Sequence, residues 1–172
     1  MLEIDEGQLR FFFPDNTLAS KYDDWSFYRN QFSKAFDGIK AMDFIHVDNG
    51  HTWLIEVKDY RVNRRTKPID IGDEIALKAR DTLAGLVAAK LNATDAQEQT
   101  IAENALRKNR LRIILHLEQP KKHSKLFPKA IDPSKVKQKL KQRLKSIDPH
   151  PRVVDKSDLE KWDDMNWSVK GI

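Results

Sequence analysis

The chain contains no cysteine, which excludes disulfides, thiolate nucleophiles and cysteine-ligated zinc together and leaves the redox character of its compartment unmarked. Long apolar runs are missing too, since no stretch approaches the roughly 20 residues that a membrane-spanning helix needs. The opening Met1-Leu2-Glu3-Ile4-Asp5-Glu6 is acidic where a secretory signal is basic, and no small-residue cleavage site follows, so the expected location is the cytoplasm. Acids are scarce in one long region. Residues 107 to 145 hold 14 Lys plus Arg against Glu118 and Asp132 alone, a local charge of +12, while the remaining 17 basic and 24 acidic residues come to −7. Such a split allots one face to a polyanion and another to solvent or acidic chemistry. The five histidines, His46, His51, His116, His123 and His150, have no mutual metal-ligand spacing and read as structural or surface residues.

What is present suffices for one core of ordinary size: 172 residues, 40% hydrophobic and 33% charged, are expected to form a single domain. Residues 8 to 13 (Gln-Leu-Arg-Phe-Phe-Phe) are aromatic and β-prone, and Pro14-Asp15-Asn16 ends them in a turn. Trp25, Tyr28, Phe32 and Phe36 recur at helical spacing and predict an amphipathic helix from Asp23 to about Phe36, stopped at Gly38. Lys40 to Val47 and Thr52 to Tyr60 are both strand-like. Between them stands Asn49-Gly50, the strongest short-range hairpin signal.

After a basic loop over 61 to 70, Ile75, Ala79, Leu83, Leu86 and Leu91 mark a helix from Asp73 to Leu91. Thr94 with Gln97 predicts a capping box for a third helix ending near Arg107, and Leu111 to Leu117 suits a strand buried on both faces. Asp132-Pro133 opens a fourth helix whose apolar stripe is Val136, Leu140, Leu144 and Ile147. Pro151 to Val154 fits a short edge strand, and Ser157 with Glu160 caps a last helical turn carrying Trp162. The order of elements predicts a mixed α/β sheet with helices packed on it.

The hairpin carries the chemistry. With Asn49 and Gly50 as its loop, facing positions sum to 99 and Asp43 faces Glu56. Directly opposed residues have Cβ atoms about 4.5–5.5 Å apart, so two carboxylates stand side by side and repel unless a cation lies between them. A hard divalent ion suits that place, its other positions filled by water and phosphate oxygens. Lys58 lies two residues beyond Glu56 on the same face, in reach of a metal-bound water or a phosphate.

Asp43, followed after twelve residues by Glu56-Val57-Lys58 at the end of a hydrophobic strand preceded by a helix, resembles the core motif of the PD-(D/E)xK nuclease superfamily. The resemblance covers about residues 20 to 117, with the basic helix and tail over 118 to 172 outside it. It implies a restriction-endonuclease-like mixed β-sheet core flanked by helices. By position it implies Asp43, Glu56 and the carbonyl of Val57 as ligands of Mg²⁺ (or Mn²⁺), with Lys58 acting on the attacking water. Met42 replaces the motif's proline. Many members also place a Glu on the first helix, whereas residues 17 to 40 contain none; Asp23, Asp24, Glu3 and Glu6 are the candidates to replace it.

The function implied is a metal-dependent endonuclease acting on DNA in restriction, anti-phage defence, mobile-element or recombination contexts, with a homodimer or a partner protein supplying specificity. The alternative is a nuclease-fold subunit without activity that binds nucleic acid or assembles a larger complex. The motif reports phosphodiester chemistry and does not separate DNA from RNA. Arg61, Arg64, Arg65 and Lys67 would rim the site and read either as phosphate contacts or as plain surface charge. Lys137, Lys141 and Lys145 stand on a helix with almost no acids to pair with, which suits a nucleic-acid backbone as well as a solvated face.

Overall fold

A computed structural model describes residues 1–121 and 130–172; residues 122–129, which include His123, and the side chains of Phe36 and Asp37 lie outside the described residues. The architecture is mixed α/β. A five-stranded sheet is built from β3 (Leu18–Lys21), β4 (Phe44–Val47), β5 (His51–Asp59), β6 (Arg110–Glu118) and β7 (Arg152–Val154), in that spatial order. The β3, β4 and β5 neighbours are antiparallel, whereas β5, β6 and β7 run parallel.

Parallel neighbours need a crossover. Between β5 and β6 it consists of α2 (Ile71–Asn92) and α3 (Ala96–Arg107), and between β6 and β7 it contains α4 (Pro133–Leu144). Two crossovers of one hand that advance in the same direction place their helices on one face of the sheet. That face packs Ile45, Leu54, Ile113 and Leu115 against Ile75, Ala79, Leu86, Ile101 and Leu140. The interior strand β6 is buried from Ile113 onward, as its apolar run requires.

The opposite face is covered by a second sheet, β1 (Leu2–Glu6), β2 (Leu9–Phe13) and β8 (Ser168–Gly171), ordered β1-β2-β8 and antiparallel throughout. Strand alternation explains the fit, because Leu9, Phe11 and Phe13 all point inward onto Phe44, Trp53, Ile55 and Ile114. Of these three strands only β2 was expected. β1 and β8 alternate weakly, and β3 is a four-residue edge strand with little apolar content.

The expected helix over 23 to 36 is corrected. The segment forms a 3-10 turn (Tyr22–Asp24), the five-residue α1 (Ser26–Asn30) and a second 3-10 turn (Phe32–Asp37), broken where Gln31 leaves helical dihedrals. No local side chain caps α1; the Glu98 carboxylate of α3 accepts from the N–H groups of Ser26 (2.6 Å) and Phe27 (3.1 Å) instead. Helical spacing of aromatics recorded burial here, without the capping that a long helix needs. Gly38, at φ +121°, ends the segment where a glycine was expected to.

Two caps also move by a residue or two. Asp95 rather than Thr94 caps α3, accepting from Gln97 and Glu98 N–H, and Asp155 with Asp158 forms the capping box of α5 (Lys156–Leu159) in place of Ser157 and Glu160. Asp70 and Asp132 cap α2 and α4. Among the described residues no helix is long and apolar enough to cross a membrane.

Candidate functional site

The Asn49-Gly50 hairpin forms with the expected register: Phe44 pairs with Ile55 and Val47 with Thr52. Asp48 fixes the turn, its Oδ1 accepting from the N–H groups of Gly50 and His51 and its Oδ2 from Trp53 Nε1, each at 2.7 Å. The strand expected from Lys40 is shortened to Phe44–Val47, so Asp43 stands one residue before β4, where an extension of the register would set it opposite Glu56. Both side chains, with Lys58, lie on the helix-covered face of the sheet.

There they meet a residue that the sequence pattern did not single out. Lys78 of α2 places its Nζ 2.5 Å from Glu56 Oε1 and 4.0 Å from Asp43 Oδ1, while Lys58 Nζ reaches the same Oε1 at 2.5 Å. Asp43 Oδ2 accepts from Val57 N–H at 2.6 Å. Glu56 is fully buried, and its Oε2 is without a hydrogen-bond partner. A third carboxylate, Glu74 of α2, is 1% exposed and accepts from Arg65 Nη2 (2.6 Å) and Lys67 Nζ (2.7 Å), with Lys58 Nζ 4.0 Å away. Three buried carboxylates are thus threaded by four cations of the chain itself.

The environments separate these acids. Burial, with Glu56 beside it, pushes Asp43 up to about 8 against the pull of Lys78, Val57 N–H and Lys58. Burial also works on Glu74, yet the hydrogen bonds from Lys67 and Arg65 and the nearby charge of Lys58 bring it down to about 2. For Lys58, burial opposes the charge, and the attraction and hydrogen bond of Glu56 outweigh it and raise its affinity for the proton. An open cavity of about 430 Å³ leads to Asp43 and Lys78 past Asp23, Tyr28, Arg29 and Lys40. Burial raises Asp23, whose Oδ1 lacks a partner.

This geometry bears on the expected divalent ion. The interval between Asp43 and Glu56 is held by the Lys78 ammonium, and one Asp43 oxygen is engaged by backbone. Among the described residues no group of three or more His, Cys, Asp or Glu is placed to hold a metal ion. As arranged, the residues do not fit Mg²⁺ or Mn²⁺; the cation that relieves the carboxylate pair is Lys78. Its sequence signal was a Glu74–Lys78 pair, i and i+4, on the apolar face defined by Ile75 and Ala79.

The basic residues divide into two groups. Arg61 forks onto Asp59 (2.8 and 2.6 Å), and Arg65 and Lys67 are bound by Glu74, so three of the four loop cations expected at phosphate are engaged within the chain. Arg64 is exposed. On α4, Val136, Leu140 and Leu144 face the core, Lys139 and Arg143 pair with Asp73, and Lys137, Lys141 and the C-terminal Lys145 are exposed at i, i+4 spacing.

No family model matches the chain, and no solved structure matches it. A curated relative does: a protein named cysteine--tRNA ligase from Neisseria meningitidis serogroup A / serotype 4A (strain DSM 15465 / Z2491) is 33% identical over 162 residues, covering 77% of this chain and 23% of that protein. The chain therefore spans less than a quarter of the relative's length. This relationship to a protein named as a ligase, not a nuclease, corrects the expectation of a metal-dependent DNA endonuclease, together with its restriction, anti-phage defence, mobile-element and recombination contexts.

Proposed function

We propose that the chain is a tRNA-contacting unit with a tRNA ligase-related function. The observation that carries this reading is its 33% identity, over 162 residues, to part of a protein named for ligation to tRNA. The surface chemistry supports the same partner. Lys137, Lys141 and Lys145 form a row of like charges at helical-neighbour spacing, costly in isolation and relieved by a polyanion.

The likeness of the β4–β5 hairpin to the restriction-endonuclease-like pattern enters this reading as architecture alone. What supports it is the hairpin register from Phe44–Ile55 to Val47–Thr52, with the Asp43 carboxylate bonded to Val57 N–H beside Glu56. The Glu56–Lys58–Lys78 cluster then serves to lock α2 onto β5 and so to hold α4, which packs on α2, in a fixed position for RNA.

The test is fluorescence anisotropy of labelled tRNA and of duplex DNA at matched ionic strength. Binding is expected to favour tRNA and to weaken in Lys137→Gln, Lys141→Gln and Lys145→Gln together. The slope of log K against log salt should flatten by about 1 for each lysine that neutralises a phosphate in the parent complex. Equal affinity for the DNA duplex, or no affinity for tRNA, would overturn the reading.

A further inference from the structure

A groove of about 310 Å³ lies between α4 and the C-terminal segment, remote in sequence from the carboxylate cluster, and is lined by Lys137, Lys141, His150, Arg152 and Trp162 with Pro149 and Pro151. Trp162 is the exception among the four tryptophans. It is 40% exposed, whereas Trp25, Trp53 and Trp167 are 4% exposed or less. One face of its ring is backed by the Arg152 guanidinium, 4.0 Å from the ring centroid. That guanidinium cannot wander, because Asp164 holds both its terminal nitrogens at 2.7 and 2.8 Å.

The Pro149-His150-Pro151 part of the lining is fixed as well. Asp148, fully buried, accepts from Arg112 Nη1 (3.0 Å) and from the N–H groups of Ile113 and His150 (both 2.8 Å), which ties the Pro149-His150-Pro151 segment to β6. A 40% exposed aromatic ring backed by a cation that is itself held in place, next to two lysines one helical turn apart, combines the two elements that recognise unpaired nucleotides: a stacking platform and a phosphate rail. A duplex satisfies the rail but keeps its bases stacked inside.

We propose that the Lys137–Lys141–Trp162 groove binds an unpaired nucleotide of RNA, its base stacked on Trp162 and its flanking phosphates on Lys137 and Lys141. The choice of RNA rests on the tRNA reading above; the demand for an unpaired base rests on the groove alone.

The experiment uses the full chain and four probes: tRNA, an oligouridylate, a blunt RNA duplex and a polyglutamate peptide. Intrinsic fluorescence reads Trp162, the exposed tryptophan, and anisotropy of the labelled probes gives affinity. Expected are quenching by tRNA and by oligouridylate, loss of the quench in Trp162→Leu, and a weakening of oligouridylate binding by roughly 5-fold or more, the lower end for one stacked base. Trp162→Phe should restore affinity without restoring the quench, and Lys137→Gln with Lys141→Gln should flatten the salt slope by about 0.7 for each phosphate neutralised on a single strand.

If wild-type protein binds tRNA and both Trp162 variants bind tRNA and oligouridylate as the parent does, with circular dichroism unchanged, the groove proposal is wrong and the tRNA reading stands. If wild-type protein binds oligouridylate with the quench but not tRNA, the reverse holds. Binding of neither overturns both. Tighter binding of the duplex than of oligouridylate, or an equal quench by polyglutamate, would also overturn the groove proposal, the latter marking a site for an acidic protein.

Discussion

Asp43→Asn should change how stability depends on pH more than it changes the fold. The side chains are nearly isosteric, and the asparagine carbonyl can still accept from Val57 N–H, the bond that Asp43 Oδ2 makes at 2.6 Å. The proton is what differs. Burial and the Glu56 charge push Asp43 from its ordinary 3.8 up to about 8 in the folded chain, so the native state holds this proton where the unfolded chain releases it. A carboxyl raised in this way contributes stability that is complete below about pH 4 and is lost as pH climbs through about 8.

Across that window one extra bound proton gives a slope of about 1.4 kcal/mol of lost stability per pH unit. Glu74 acts in the other direction but elsewhere: its folded value of about 2 lies below the ordinary 4.5, so its contribution is present above 4.5 and is lost as pH falls toward 2. In urea unfolding between about pH 5 and 7, Glu74 is constant and the comparison of variant with wild type cancels the buried His46, whose proton affinity burial lowers, so the stability of Asp43→Asn relative to wild type should rise by roughly 3 kcal/mol over that interval. Parallel stability curves for the two proteins would refute the electrostatic account of the cluster.

Lys78→Ala leaves the fully buried Glu56 with Lys58 as its one remaining ammonium, and should destabilise by about 3 kcal/mol, the low end for removing one partner of a buried ion pair. Combining it with Glu56→Gln should recover part of that loss in the same urea assay, whereas strictly additive losses would sink the pairing. Gly85→Ala would drive a Cβ into the Tyr22 hydroxyl oxygen and should cost about 1–3 kcal/mol. That hydroxyl is buried without a partner, so Tyr22→Phe should be near neutral alone and should relieve Gly85→Ala when combined, as read by thermal melting.

The parts of the fold legible in the sequence are those where a single local rule decides. Asn49-Gly50 set the hairpin and its register from Phe44–Ile55 to Val47–Thr52, and the periodic stripes marked α2 and α4. Where a distant residue supplies a missing local interaction, the sequence misleads. The aromatics from Trp25 onward looked like one long helix because the Glu98 cap and the break at Gln31 are not periodic features. The site was half visible for the same reason. Two carboxylates of one hairpin can be counted into register, but Lys78 arrives from another element and turns an apparent metal site into an internal ion cluster. Likewise Arg65 and Lys67 looked available for phosphate until α2 presented Glu74.

The small sheet has a consequence for the order of assembly. β2 is the middle strand of three, and one of its neighbours, β8, is translated after β1 through β7. Until residues 168–171 leave the ribosome, Leu9 to Phe12 lack half of their ladder, and the aromatic face of Phe44, Trp53 and Ile55 has an incomplete cover. Closing that pair joins the two most distant parts of the chain, the slowest kind of pairing to form and the most exposed to misassociation in the meantime. Completion of the small sheet therefore waits on β8. A chain without residues 168–171 would keep Leu9, Phe11 and Phe13 over that face but lose Val169 and one side of the β2 ladder.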